Sequence, residues 1–175
     1  MTADHWAAAH NAAGIVTVSK DSLGLAVNTP PGSLLTLRND TTLNDFYFET
    51  IMTMGLCRND DTAGVVFRAV DAQSYYAFLV NCQGRIALER VLKGSPAMLS
   101  DWSLTSQVQP GLTQPLKIGV WTQGITIRIY LNDQLQYEVV NSAYNGGGIG
   151  FFAQASGDSA VSVNFSEIKA YQASE

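Results

Sequence analysis

Hydrophobic and polar residues alternate along most of this chain in short runs, with turn signals about every 8–12 residues. The longest run is Phe46–Leu56, where Phe46, Phe48, Thr50, Met52 and Met54 alternate with Tyr47, Glu49, Ile51 and Thr53. A period of two predicts a strand, and apolar residues in both sets suit one inside a two-layer sandwich. Ala63–Val70, Ser74–Asn81 and Arg85–Leu92 follow, separated by the polar turns Asn59-Asp60-Asp61-Thr62, Asp71-Ala72-Gln73 and Cys82-Gln83-Gly84. Phe46 to Leu92 therefore reads as four strands in one antiparallel meander. A second block, Leu116–Thr122, Ile125–Leu131 and Gln134–Val140, is joined by turns at Gln123-Gly124 and Asn132-Asp133.

The flanks continue the pattern. Ile15–Ser19, Leu23–Asn28 and Leu34–Arg38 precede the first block, with a break at Thr29-Pro30-Pro31-Gly32-Ser33, and Ile149–Ala155 and Ala160–Tyr171 end the chain. Lys93 to Pro115 contains Gly94, Pro96, Pro110 and Gly111, and reads as a long crossing connection with one short strand near Met98–Leu99. Residues 1–14 are alanine-rich and read as a loose arm or a short helical turn. About a dozen short strands and no long helix predict an all-β fold, a two-sheet antiparallel β-sandwich of jelly-roll type. One domain over residues 1–175 is expected.

Composition narrows the partners. Charged residues are 14% of the chain, against about 25% in an average soluble domain. Ser, Thr, Asn, Gln and Gly supply the polarity instead, which suits neutral hydrogen-bonding ligands. A net charge of -5 removes the basic footprint that nucleic acid needs. No apolar run reaches the length of a membrane span. The start, MTADHWAAAHNAAG, lacks the basic n-region and long apolar h-region of a signal peptide. A fragment of a longer secreted or membrane-anchored protein fits these features.

Cys57 and Cys82 both fall at loop positions, at the ends of alternate strands of the expected meander. A disulfide there would close a loop of about 25 residues and stabilise mainly through the unfolded state. Strands one apart in a flat sheet lie about 9–10 Å from each other, too far for a bridge, so two thiols are the alternative. No CxxC occurs, and His5 and His10 lie in the arm, which argues against zinc and against a histidine-based nucleophile. The glycine run Asn145-Gly146-Gly147-Gly148 precedes a strand and lacks the Lys-Ser/Thr of a phosphate loop.

The stretch AGVVFRAVDAQSYYAFLVNCQGRIALERVLKG resembles the concanavalin A-like lectin/glucanase sandwiches, of the laminin-G and bacterial DUF1080-like kind. The resemblance lies in Gly64–Arg68 ending in Phe-Arg, the acidic turn at Asp71, the Tyr75-Tyr76 strand, and Gly84 leading to Arg90. LKIGVWTQGITIRIYLNDQ, GGGIGFFAQ and VSVNFSEIKAY extend it, so that it covers about three quarters of the chain, from Phe46 onwards. Asp133 replaces the glycine usual in that hairpin. The Glu-x-Asp-x-Glu strand of the retaining glucanases is absent, so their activity is not implied.

Within that frame Arg68, Tyr76 and Arg90 are the leading ligand candidates. By parity all three can project from one sheet face, with Glu49 or Glu89 as a charge partner. They would either hydrogen-bond and stack on a sugar or form an internal Arg–Glu pair. Trp102, Trp121 and Trp6 are alternative stacking platforms, Trp102 in the irregular connection and Trp121 facing away from Ile118 and Val120; the bland alternative for Trp102 is a plug over one end. Asp60, Asp61 and Asp71 offer oxygens to calcium, but they lack calcium-loop spacing, and turn chemistry alone explains them. No cofactor is expected. The leading expectation is a non-catalytic, extracellular or cell-surface module for a neutral glycan. A structural or protein-interaction domain is the rival. A glycoside-cleaving enzyme would need a carboxylate pair such as Glu49 with Glu89.

Overall fold

The computed structural model describes residues 14–38 and 42–172. His5, Trp6, His10 and the expected arm lie outside them. Thirteen strands are present among the described residues: β1 Gly14–Val18, β2 Ser22–Val27, β3 Gly32–Leu37, β4 Phe46–Leu56, β5 Thr62–Asp71, β6 Ser74–Asn81, β7 Arg85–Leu92, β8 Ser95–Leu104, β9 Leu116–Gln123, β10 Thr126–Leu131, β11 Gln134–Val140, β12 Gly148–Ala155 and β13 Val161–Gln172. They form a seven-stranded sheet in the order β1-β2-β13-β4-β9-β10-β11 and a six-stranded sheet in the order β3-β12-β5-β6-β7-β8. All pairings are antiparallel. This is the expected two-sheet sandwich.

The period-two pattern sets the core. Phe46, Phe48 and Met52 of β4 meet Phe67, Phe78 and Phe151 of the other sheet, and all are essentially inaccessible. Phe151 stacks on Phe165 with ring centres 4.2 Å apart. Each such ring contributes about 1.5–3 kcal/mol by leaving water, which is what holds the sheets face to face.

Two expectations about chain path are corrected. Phe46 to Leu92 is not one meander: β4 lies in the seven-stranded sheet, and only β5 to β8 run as neighbours in the other. The strand expected near Met98–Leu99 is longer than read, since β8 occupies ten residues of the 93–115 stretch. Lys93 and Gly94 both take positive φ, 49° and 83°, the geometry of a tight two-residue hairpin turn. Pro96 is tolerated because β8 is an edge strand and needs no inward-facing N–H there. The Asn132-Asp133 turn has the same form, with φ of 50° and 67°. Asp133 therefore takes the place of the usual glycine without changing the hairpin.

Cys57 and Cys82 are bonded, with Cα atoms 5.7 Å apart, inside the usual range for a disulfide. The same-sheet spacing argument does not apply, because Cys57 follows β4 and Cys82 follows β6, in different sheets. The bridge ties one sheet to the other at one end of the sandwich.

Candidate functional site

The residues singled out by parity do not form one outward patch. Phe67, Tyr76, Arg90 and Ala97 stand opposite one another across β5 to β8, and Tyr76 belongs to the core between the sheets. Tyr76 is fully buried and donates to Asn141 Oδ1 at 2.7 Å, while its oxygen accepts from the Tyr144 amide at 3.2 Å. Arg90 is half-buried, with Nε lacking a hydrogen-bond partner.

Arg68 breaks parity. Two residues of β5, Phe67 and Arg68, fall where β12 has one, so a bulge interrupts the pairing. Arg68 sits there at φ 47°. Its guanidinium is inaccessible and donates to three backbone carbonyls: Asn44 at 2.8 Å, Gly124 at 2.7 Å and Tyr144 at 3.1 Å. Its carboxylate partner is Asp45, at 3.4 Å, not Glu49 or Glu89. Burial pulls its pKa down from the usual arginine value, and Asp45 opposes that. Arg68 is thus a pin that gathers three loops at the end of the sandwich away from the disulfide.

Glu49 and Glu89 lie on opposite outer surfaces. Glu49 stands opposite Gly119 on the outward side of the seven-stranded sheet, and accepts from Tyr47 Oη at 2.9 Å. Glu89 stands opposite Ala77 on the outward side of the six-stranded sheet. With both sheets, about 10 Å apart, between them, these two cannot act as one acid–nucleophile pair.

The outward side of the six-stranded sheet is the better surface. Its floor is small or compact: Val66, Ala77, Leu79 and Ala87. Leu35, Leu37, Tyr75, Trp102 and Phe152 pack around that floor. Burial raises the Glu89 carboxyl above its ordinary value, and it raises the neighbouring Tyr75 phenol, helped by Glu89. β8 supplies Trp102, opposite Ala87 at a register shift, so the residue expected in an irregular connection is held by a strand.

At the disulfide end this surface deepens into a concavity of about 340 Å³, lined by Asp60, Thr62, Asn81, Gln83, Arg85, Trp102 and Ser156. The walls are fixed by turn chemistry. Asn81 Oδ1 accepts from the amides of Gln83 at 3.1 Å and Arg85 at 3.0 Å. The Asp60 carbonyl accepts from the hydroxyls of Thr62 at 2.9 Å and Ser156 at 3.0 Å. The lining holds one acid, one base, one indole and neutral amides and hydroxyls. Such a set hydrogen-bonds and stacks on an uncharged polyhydroxylated ring.

Of the calcium candidates, only Asp60 reaches this concavity. Both Asp61 carboxylate oxygens accept backbone N–H groups, from Arg58 at 3.0 Å and Ser156 at 3.0 Å, and Asp71 accepts from the Gln73 amide. Among the described residues no three His, Cys, Asp or Glu side chains come together as a metal site. The sequence singled out Trp102 as a stacking platform and Asp60 as a calcium candidate, but not Asn81, Gln83 or Arg85, which line the same concavity; the polar turn Asn81-Cys82-Gln83-Gly84-Arg85 was the available signal. Trp121 does project outward from the other sheet, with the Arg128 guanidinium 4.5 Å from its ring centre.

No protein-family model and no curated relative matches the sequence. Solved structures do. A carbohydrate-binding module, CBM66 from Bacillus subtilis, is similar with a TM-score of 0.77 over 96% of each chain, at 15% identity. The chain has a concanavalin A-like sandwich fold. A Bacillus licheniformis β-glucanase is similar with a TM-score of 0.66 at 9% identity, over 97% of this chain and 92% of that one. A functionally unknown Saccharomyces cerevisiae protein gives 0.69 at 11% identity, over 97% and 96%. At these identities the likeness concerns the fold, which hosts both binding modules and enzymes. The chain is a jelly roll in architecture, and the chemistry of its site has to be argued from its own residues.

Proposed function

We propose that this protein is a non-catalytic module that binds a neutral glycan in the concavity around Trp102. The observation that carries this reading is the combination of one indole with amides, hydroxyls and a single charge of each sign on a rigid sheet end. Trp102 offers the stacking face, Arg85, Asn81 and Gln83 offer donors, and Asp60 offers acceptors. The similarity of the fold to that of a carbohydrate-binding module supports the ligand class. The disulfide suits an oxidising, extracellular setting, and among the described residues no helix is long and apolar enough to cross a membrane. A unit of this kind fits within a larger extracellular protein.

Affinity gel electrophoresis against a panel of soluble neutral polysaccharides tests the reading. Wild type is expected to be retarded by at least one of them, and Trp102→Ala to weaken that binding about tenfold or more, as for a central aromatic contact. Equal retardation of the two proteins by every polysaccharide sinks the concavity as the site.

A further inference from the structure

The outward side of the seven-stranded sheet carries a second arrangement that the Trp102 concavity does not use. β13, β4, β9 and β10 set Tyr171, Tyr47, Trp121 and Arg128 directly opposite one another in a straight row across the strands. Their chain neighbours Phe48, Val120 and Ile127 point into the core, so the row faces outward. Adjacent strands are about 4.8 Å apart, which makes the three rings span roughly 10 Å.

The Tyr47 ring is held down on the sheet. A Cβ at Gly119 would stand 2.8 Å from Tyr47 Oη and 3.3 Å from two ring carbons. Tyr47 therefore lies over Gly119, its hydroxyl tethered to Glu49 at 2.9 Å. Trp121 is braced by Arg128, which Glu138 holds in turn. Tyr171 is 54% exposed. The charges around the rings balance, three of each sign: Lys117 lies 3.5 Å from Glu49 and 2.8 Å from Asp133, Lys169 stands opposite Glu49, and Arg128 pairs with Glu138. What remains is apolar ring surface with little field, which fits the C–H face of an uncharged sugar better than a charged protein or polyanion.

We infer that Tyr171, Tyr47 and Trp121 form a second platform, which takes a neutral polysaccharide chain laid across the strands. The inference shares its ligand class with the proposal above but none of its residues. Pull-down on microcrystalline cellulose and on insoluble β-1,3-glucan tests it, beside gel retardation by soluble glycans. The Tyr47→Ala, Tyr171→Ala double variant is expected to lose about fivefold or more of the retention wild type shows on an insoluble probe, with soluble binding at Trp102 unchanged. Gly119→Ala, which displaces the Tyr47 ring without removing it, is expected to lower retention in the same direction. Unchanged retention of both variants overturns the platform. So does a wild type retained by neither probe, or a change confined to oligomeric state on gel filtration, which would make the row a protein interface. The two sites fail separately: Trp102→Ala alone inactive points to the concavity, the tyrosine pair alone inactive to the platform.

Discussion

Arg68 shows how one side chain can be misread from its neighbours. Alternation along β5 pairs it with Val66 and Val70, facing outward, but the bulge at φ 47° turns it to the loops instead. A bulge has no signature in a run such as Gly-Val-Val-Phe-Arg-Ala-Val, so the burial of Arg68 was not legible. In β6, which has no bulge, Tyr75 and Tyr76 must take opposite faces, but alternation does not say which face is covered, and Tyr76, read as a ligand candidate, is the buried one. Replacing Arg68 by Ala is expected to cost about 3 kcal/mol or more, since a fully buried side chain and its charge-assisted bonds to three backbone carbonyls are lost; urea denaturation reads it directly. Glu89 makes a pH prediction. Its folded pKa is raised by burial, so as pH climbs from the ordinary carboxylate range the unfolded chain loses this proton first. The native state then holds more protons and stability falls across that window. Glu89→Gln should accordingly gain in melting temperature over wild type at neutral pH and lose that gain near pH 3–4, where both forms of the acid are protonated. Tyr47 shifts in the same direction, a phenol pushed up to about 12 by burial and by its bond to Glu49.

At the scale of elements, β4, β6, β7 and β11 coincide with the runs read from the sequence, because polar turns bound each of them. β8 was underestimated for a physical reason. An edge strand with most side chains exposed has no apolar stripe to announce it, and its Gly and Pro sit in the turn and on the open edge. The sheet assignment of β4 was illegible as well, since alternation sets faces within a strand but not which strands pair. That in turn left the cysteines open. Their bridge joins the turn after β4 to the turn after β6, the turns that carry Asp60, Asn81 and Gln83. Cys57→Ser with Cys82→Ser is expected to lose about 3 kcal/mol of unfolding free energy. It should also weaken glycan retention in the folded protein, as the walls of the concavity separate. A double variant that matches wild type in both measurements would exclude this role.

For the whole molecule, the sandwich has two outer surfaces of unlike character, one indented around Trp102 and one flat around Tyr47. Its two ends differ too. At the start of β5 the sheets are joined covalently, next to Asp61. Six residues along, about 20 Å away, they are joined by a guanidinium on three carbonyls. An arginine keeps its charge throughout the working pH range and has no redox chemistry, whereas a disulfide answers to thiols. A reductant can therefore loosen this protein from one end only. The half around Asn44, Gly124 and Tyr144 would stay protected in amide hydrogen exchange while the half around Trp102 opens, so the proposed binding concavity would report the redox state of its surroundings and the far end would not.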